Sequence, residues 1–357
     1  MDGIDAAIVT GDGTHISWLG PTKYQPYSRM QVTRIQMVVS QALKEGSKFA
    51  DSTEYLSARR DYTLAHANAV IRMLAEYDLS PAGIDLLGFH GQTILHRPDE
   101  GWTWQMGDGQ LLANETGIAV VDDFRSADVA AGGQGAPFAP LYHQALIEND
   151  GVSQESYPVA ILNIGGISNV TWMDGTGTIL GFDTGPGNAQ LNDWIKRFYG
   201  KPYDEDGRKA ASGTVRADIV REVMQNPYFS APYPKSLDRS DFDLGAVEGL
   251  DAADGAATLS AITAESIISG LEQLPNFPRS IFVCGGGRHN THIMNMLSDQ
   301  ANLTVKPVEA LDWRGDYLEA ECFAHLAIRS VKGLPLSLPS ITGASEEVTG
   351  GVLYKPE

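Results

Sequence analysis

A chain of 357 residues with 43% hydrophobic side chains is long enough for two domains with sizeable cores. Its formal net charge of −19 excludes an electrostatic hold on nucleic acid or on an anionic membrane surface, because binding a polyanion needs clustered Lys and Arg. A nucleotide held by backbone N–H groups and a metal ion stays compatible with that charge. No apolar run approaches the ~18–20 residues that span a bilayer, and the N-terminus has no basic region of a secretory signal. Cys284 and Cys322 sit in apolar segments and read as buried, reduced thiols, which points to the cytoplasm.

In chain order, Ala6–Val9 and Ile16–Leu19 read as strands joined by a turn at Gly11-Asp12-Gly13. Helical patterns cover about 29–44 and 53–77, the second with Leu64, Ala67, Ile71 and Leu74 at 3.6-residue spacing. Strands are expected at Leu86–Phe89, Trp102–Met106 and Ile118–Val121, with a helix beginning at Asp108 and another near 138–148. The polar stretch 149–157 reads as a linker, dividing the chain into lobes 1–150 and 151–357. The second half opens with the strand Val159–Leu162 and a hairpin turning at Asp174-Gly175-Thr176-Gly177. Helices follow near 188–199, 213–224 and 257–272, then the strand Ile281–Cys284, a helix from about 290, the strand Leu303–Val305 and a helix at 316–330. Strands alternating with helices predict an α/β fold with sheets covered by helices. A weak internal echo relates 4–20 to 167–181, both reading strand, Asp-Gly turn, strand; the second copy has a further strand and Gly-Gly turn ahead of it.

The chemistry concentrates around Gly181-Phe182-Asp183-Thr184-Gly185-Pro186-Gly187-Asn188. Asp183 stands at a strand end before a Gly/Pro turn and a helix. It reads either as a general base fixed near a hydroxyl or water, or as an N-cap. The turn Asn163–Asn169 could let a phosphate approach Gly165 and Gly166, with Ser168 and Asn169 donating hydrogen bonds, or it could be a tight hairpin only. Gly285-Gly286-Gly287 follows a buried strand, where a flat ring such as adenine can lie against backbone. His90 and Gln92, with Thr93 beside them, lie at the C-terminal end of a strand, a usual ligand position in α/β sheets. Arg125 could clamp a carboxylate bidentately or pair with Asp122 or Asp128. Glu319, among Leu318, Ala320 and Phe323, reads on its own as an exposed helix face. No G-x-S-x-G elbow, Walker A sequence or convincing metal-ligand spacing is present.

Taken together, these segments resemble the anhydro-N-acetylmuramic acid kinases of the sugar kinase/Hsp70/actin superfamily. The resemblance runs over essentially the whole chain. It rests on Asp2-Gly3-Ile4-Asp5, Gly88–Thr93, Gln105–Asp108, Asp123-Phe124-Arg125, Asp128–Pro137, Leu162–Asn169, Phe182–Asn188 and Cys284–Asn290. It implies two lobes with duplicated mixed sheets around a cleft, with ATP and Mg²⁺ as cofactors. The implied reaction opens the 1,6-anhydro bond with water and phosphorylates O6, giving N-acetylmuramic acid 6-phosphate in cell-wall recycling. Asp183 matches the family base, Arg125 a residue near the sugar, and Glu319 the sugar-binding acid. Asp2, Gly165, Gly166, Gly185 and Gly285–Gly287 match the nucleotide site. A homodimer is implied as well. The alternatives are a kinase for another anhydrosugar such as levoglucosan, or a non-catalytic nucleotide- or sugar-binding protein. The family pattern reads Gly-Thr-Ser, one further residue and then Asp-Gly; Met1 takes the place of that one residue, so the Gly-Thr-Ser would fall immediately before it. Together with the internal echo, this gives the expectation that a strand and phosphate turn precede Met1.

Overall fold

A computed structural model describes residues 3–150, 152–237 and 241–357; Asp2, expected at a phosphate, lies outside them. Among the described residues twelve strands follow in order: β1 (Gly3–Gly11), β2 (Ile16–Pro26), β3 (Leu87–Gly88), β4 (Gln92–Arg97), β5 (Trp102–Met106), β6 (Val120–Asp122), β7 (Val159–Ile164), β8 (Ile167–Met173), β9 (Ile179–Pro186), β10 (Ser280–Cys284), β11 (Val305–Pro307) and β12 (Val352–Tyr354). The helices that matter here are α1 (Arg29–Glu45), α2 (Thr53–Glu76), α3 (Gly109–Thr116), α4 (Ser126–Ala130), α5 (Ala139–Asp150), α6 (Asn188–Tyr199), α7 (Arg208–Ala211), α8 (Ala217–Val223), α9 (Pro227–Ser230), α10 (Ala252–Glu272), α11 (Thr291–Ala301) and α12 (Leu318–Val331).

The chain divides into two compact units. One comprises 1–149, 319–339 and 344–357; the other comprises 150–318 and 340–343. The C-terminal helix α12 and the tail therefore group with the N-terminal residues, whereas the sequence placed everything after 150 in one lobe. The reason is packing. Gly88 of β3 lets the backbone of α12 approach so closely that any Cβ there would overlap the Phe323 carbonyl. The tail strand β12 pairs antiparallel with β6, Val352 opposite Asp122.

In the first unit β1 and β2 form a long antiparallel hairpin, Gly3 opposite Pro26 and Gly11 opposite Ile16. Strands β12-β6-β3 make a second sheet and β4-β5 a second hairpin. The core gathers Val38, Phe49, Tyr55, Tyr62, Phe89, Met106, Leu112 and Val120. Within α2 the buried stripe includes Tyr55, Ala58, Tyr62, Ala69 and Met73 as well as Ala67 and Leu74. Ile71 of the expected stripe is 44% exposed. The tyrosines bury more apolar surface than a Leu/Ile stripe one position round, and they decide which face turns inward.

The second unit is built on one mixed five-stranded sheet, β11-β10-β7-β8-β9. Strands β7, β10 and β11 run parallel; β8 runs antiparallel to β7, and β9, antiparallel to β8, returns to the direction of β7. Helix α10 is buried along most of its length, its small residues admitting neighbours at close range: Gly255 meets the Trp194 indole and Gly270 meets Thr184. Leu162, Trp172, Phe182, Trp194 and Ile267 fill the space between sheet and helices. Because β7 and β10 are adjacent and parallel, with Asn163 opposite Cys284, the glycine turns that follow them lie side by side at one edge of the sheet. That edge is the carboxyl end of the parallel strands, the position where open α/β sheets take ligands.

Candidate active site

In the second unit, the turn between β7 and β8 docks on the start of α6. The N–H groups of Gly187, Asn188 and Ala189 donate to the carbonyls of Gly166, Gly165 and Gly166 at 3.0, 2.7 and 3.3 Å. Asn188 also donates from Nδ2 to the Ile164 carbonyl, 3.1 Å. These are the orphan donors of a helix N-terminus, and here the protein satisfies them itself. The first N–H groups of α6 are therefore not available to an anion at this corner.

The glycines fall into two sets. At Gly185, Gly187, Gly285 and Gly287 a Cβ would collide with Ser266, the Gly165 carbonyl, Asn163 and Ile164 respectively, and Gly285 also sits at φ +72°. Packing alone requires glycine at these four positions. At Gly165, Gly166 and Gly286 it does not. The nearest atoms to a Cβ are Ile167 O at 3.5 Å, Ala189 Cβ at 3.7 Å and Asn188 Nδ2 at 3.9 Å, and none of the three has a positive φ. Gly166 and Gly286 are exposed. At these three positions, gathered around Asn188, the fold itself gives no steric reason for glycine.

Asp183 lies on β9, 6% exposed. Its N–H donates to the Lys235 carbonyl at 3.0 Å. Its own carbonyl accepts from the Tyr228 hydroxyl at 2.5 Å, and its Oδ2 accepts from the Leu237 N–H at 2.9 Å. The carboxylate is thus held by main chain on one oxygen and fixed in orientation. Asn169 stands directly opposite Asp183 in the β8–β9 register, so the two side chains share a face of the sheet. Ser168 is placed otherwise: its hydroxyl is buried and donates to the Pro186 carbonyl at 3.4 Å, which closes the hairpin. Beneath the Gly285 turn, buried Arg288 donates to the Gly285 carbonyl at 3.0 Å and pairs with Glu309 and Asp316 at 2.8 and 2.6 Å. The sequence reading passed over Arg288, Tyr228, Lys235 and Leu237. A lysine directly after Pro232-Tyr233-Pro234 and ahead of Ser236-Leu237 was the one visible signal for that segment.

In the first unit, His90 follows β3 and Arg125 follows β6, the parallel neighbour. Arg125 Nε donates to His90 Nε2 at 2.9 Å, and its Nη1 donates to the Gly135 carbonyl at 2.5 Å. Its guanidinium lies 5.3 Å over the Phe138 ring. The histidine stacks on Phe323 at 4.4 Å. Burial, then the Arg125 charge, holds the His90 pKa well below the ordinary imidazole value. Its Nε2 accepts from an arginine that is always charged, so the ring is neutral and carries its proton on Nδ1. His90 thus addresses Arg125 in this structure. Gln92 donates to the Thr93 carbonyl at 3.2 Å, and Thr93 Oγ1 accepts from Gln105.

Asp128 is buried, accepts from the Gly135 N–H at 2.7 Å and from the Ser337 hydroxyl, and so shapes the loop whose carbonyl holds the arginine. Asp122, desolvated and next to Asp123, has its carboxyl pushed up to about 7. Glu319 is exposed at the start of α12. Its charge raises the buried Tyr62 phenol and Cys322 thiol beyond the larger effect of burial, while Arg125 acts oppositely on Cys322. His90, Arg125 and Glu319 are therefore brought to one neighbourhood around α12.

Glycine turns at adjoining strand ends, with a clamped carboxylate on the hairpin beside them, give this α/β protein the parts of a phosphotransferase. Residues 1–356 match the model of the family described as anhydro-N-acetylmuramic acid kinase. The chain is 46% identical to a protein of that name from Rhizorhabdus wittichii, over 100% of this chain and 96% of the relative. It is 44% identical to one from Rhodopseudomonas palustris, again over 100% and 96%. The chain belongs to the anhydro-N-acetylmuramic acid kinase family. Among solved structures, the activator of 2-hydroxyisocaproyl-CoA dehydratase from Clostridium difficile, with bound ADPNP, aligns over 93% of this chain and 96% of its own. Its TM-score is 0.41 at 10% identity, a likeness too slight to say more.

Proposed function

We propose that the enzyme opens 1,6-anhydro-N-acetylmuramic acid with water and transfers the γ-phosphoryl group of ATP to the freed O6. Asp183 takes a proton from the attacking water. The C1–O6 bond breaks as the new C1–O bond forms, and O6 is captured by phosphorus, so a separate general acid is less needed. Phosphoryl transfer asks chiefly for positioning and charge neutralisation. The backbone at Gly165, Gly166 and Gly286 is the surface against which we place the nucleotide. Arg125, poised by His90 and Gly135, is placed on the lactyl carboxylate, with Glu319 on the sugar.

Mg²⁺, brought on the nucleotide, supplies charge neutralisation. Among the described residues no group of three or more His, Cys, Asp or Glu could hold a metal. A magnesium ion carried by phosphates and water needs only one or two carboxylates, so the residues present fit it in that form. Among the described residues no helix is long and apolar enough to cross a membrane. Together with two buried free thiols, this supports our reading of a cytoplasmic enzyme. Its working as a homodimer rests on the family resemblance.

The observation that carries the reading is the buried Asp183, gripped through its N–H, its carbonyl and one carboxylate oxygen beside glycines the fold does not require. Asp183→Asn keeps the shape but cannot take a proton. With ATP and the anhydro sugar, the variant is expected to lose turnover while nucleotide binding by calorimetry stays near wild type. Turnover within about tenfold of wild type would sink the assignment.

A further inference from the structure

We propose that Lys235 is a positioning residue for Asp183: its buried ammonium closes the segment 228–237 that grips the base, and loss of its proton loosens that grip and lowers turnover. The inference rests on the reading of Asp183 as base.

The segment touches Asp183 at every polar group of its main chain and at one carboxylate oxygen, through the Tyr228 hydroxyl, the Lys235 carbonyl and the Leu237 N–H. A stretch running from a four-residue helix, α9, to an extended run has little hydrogen bonding of its own to hold such a shape. The Lys235 side chain supplies it. Its Nζ donates to the carbonyls of Tyr228, Ala231 and Phe229 at 3.0, 2.9 and 3.4 Å, and to Gln273 Oε1 of α10 at 3.3 Å. It lies 4.9 Å over the Tyr228 ring and 5.7 Å over the Phe182 ring. The residue is 8% exposed, and among the described residues no carboxylate pairs with it. A buried ammonium held by carbonyls and ring faces ties both ends of the segment to α10 and to the strand that carries Asp183.

This arrangement is sensitive to the ammonium proton. Burial lowers the Lys235 pKa to about 8. The titratable groups around it are Tyr228, raised by burial and then by Asp183 and Asp241, and Asp183 itself; Gln273 and Phe182 do not titrate. Above pH 8 the amine has one donor fewer and no charge to offer four acceptors. Stability runs the other way. Between the folded value near 8 and the ordinary 10.5, the unfolded chain binds more protons than the folded one, so this group adds stability as pH rises. Activity and Tm should therefore separate on the alkaline side.

The test measures kcat and Tm from pH 6.5 to 9.5 for wild type, Lys235→Met and Asp183→Asn, with ATP and the anhydro sugar. Wild type is expected to lose kcat above pH 8, about tenfold per unit, with no parallel fall in Tm. Lys235→Met should lower kcat at pH 7 about tenfold or more, leave KM for ATP within about twofold, and show no limb near pH 8. If that variant does not fold, the wild-type profile decides: no limb near 8, or a limb that follows Tm, overturns the proposal. A limb that persists in a folded Lys235→Met does so too. Should Asp183→Asn be inactive and Lys235→Met normal, only the role of Lys235 falls; an active Asp183→Asn removes both.

Discussion

At the scale of single residues, Arg125 is arranged before any substrate arrives. Two of its donor positions are spent on His90 and the Gly135 carbonyl, and Phe138 lies under its guanidinium. Lysine can reproduce neither that seat nor a fork toward a carboxylate. Arg125→Lys is expected to raise KM for anhydro-N-acetylmuramic acid by about tenfold or more, with little change for an analogue lacking the lactyl group. Equal effects on both sugars would show that the arginine serves the loop instead. His90 gives an independent check. His90→Phe keeps a ring to stack on Phe323 but removes the acceptor for Arg125 Nε. Steady-state kinetics should show the same direction of KM change as Arg125→Lys, with kcat less affected; an unchanged KM would mean the histidine does not hold the arginine.

At the scale of elements, the two glycine turns make a prediction that separates fold from ligand. Gly166→Ala and Gly286→Ala add a methyl that meets a single atom at ordinary van der Waals distance, at exposed positions, and should leave Tm within a degree or two of wild type, while raising KM for ATP several-fold. Gly187→Ala and Gly285→Ala place it against the Gly165 carbonyl and Asn163 and should cost about 1–3 kcal/mol of stability. Thermal denaturation beside ATP kinetics would expose the contrast; a loss of Tm in the first pair would show the fold, not a ligand, asking for those glycines. The turns themselves were legible, because Gly-Gly between a buried strand and a polar run has few other meanings. Legible too were α1, whose Ser28 cap accepts from Gln31, and α3 behind Asp108. Two strands and half of a third were not. The far half of β2 carries Gly20, Pro21 and Pro26, turn residues that an outer hairpin strand tolerates. Strand β4 starts inside His90-Gly91-Gln92-Thr93, which reads locally as a turn. Strand β12 is three residues whose pairing with β6 is wholly long-range. The segment around Lys235 was invisible for the same reason: the bonds that tie it to α10 and β9 span 38 and 54 positions.

At the scale of the whole molecule, the charges that matter for stability are those the fold refuses to carry. Besides His90, burial lowers His66 and His325 to about 4 and His143 to about 3. His325 is fully buried with neither ring nitrogen hydrogen-bonded, so a proton there would have no partner. A histidine whose folded pKa is depressed stays neutral in the native state while the unfolded chain protonates below about 6.5. Stability is then lost as pH falls through 6.5, and the loss levels off only near the folded values of 3 to 4. At pH 5 each such residue accounts for at most roughly 2 kcal/mol. Asp122 opposes them. Its folded pKa near 7 exceeds the ordinary 3.8, so protonation between those values adds stability as the medium becomes acidic. One carboxyl set against several histidines leaves the balance with the histidines. Chemical denaturation midpoints should therefore fall from pH 7 to pH 5 in a chain whose acidic surface alone would grow more stable as its net charge of −19 is neutralised. Replacing His325 by Phe, which fills the same buried space beside Tyr142 without a titrating nitrogen, should flatten that slope. A midpoint that rises on acidification would mean that surface repulsion, not the buried imidazoles, governs the acid limb.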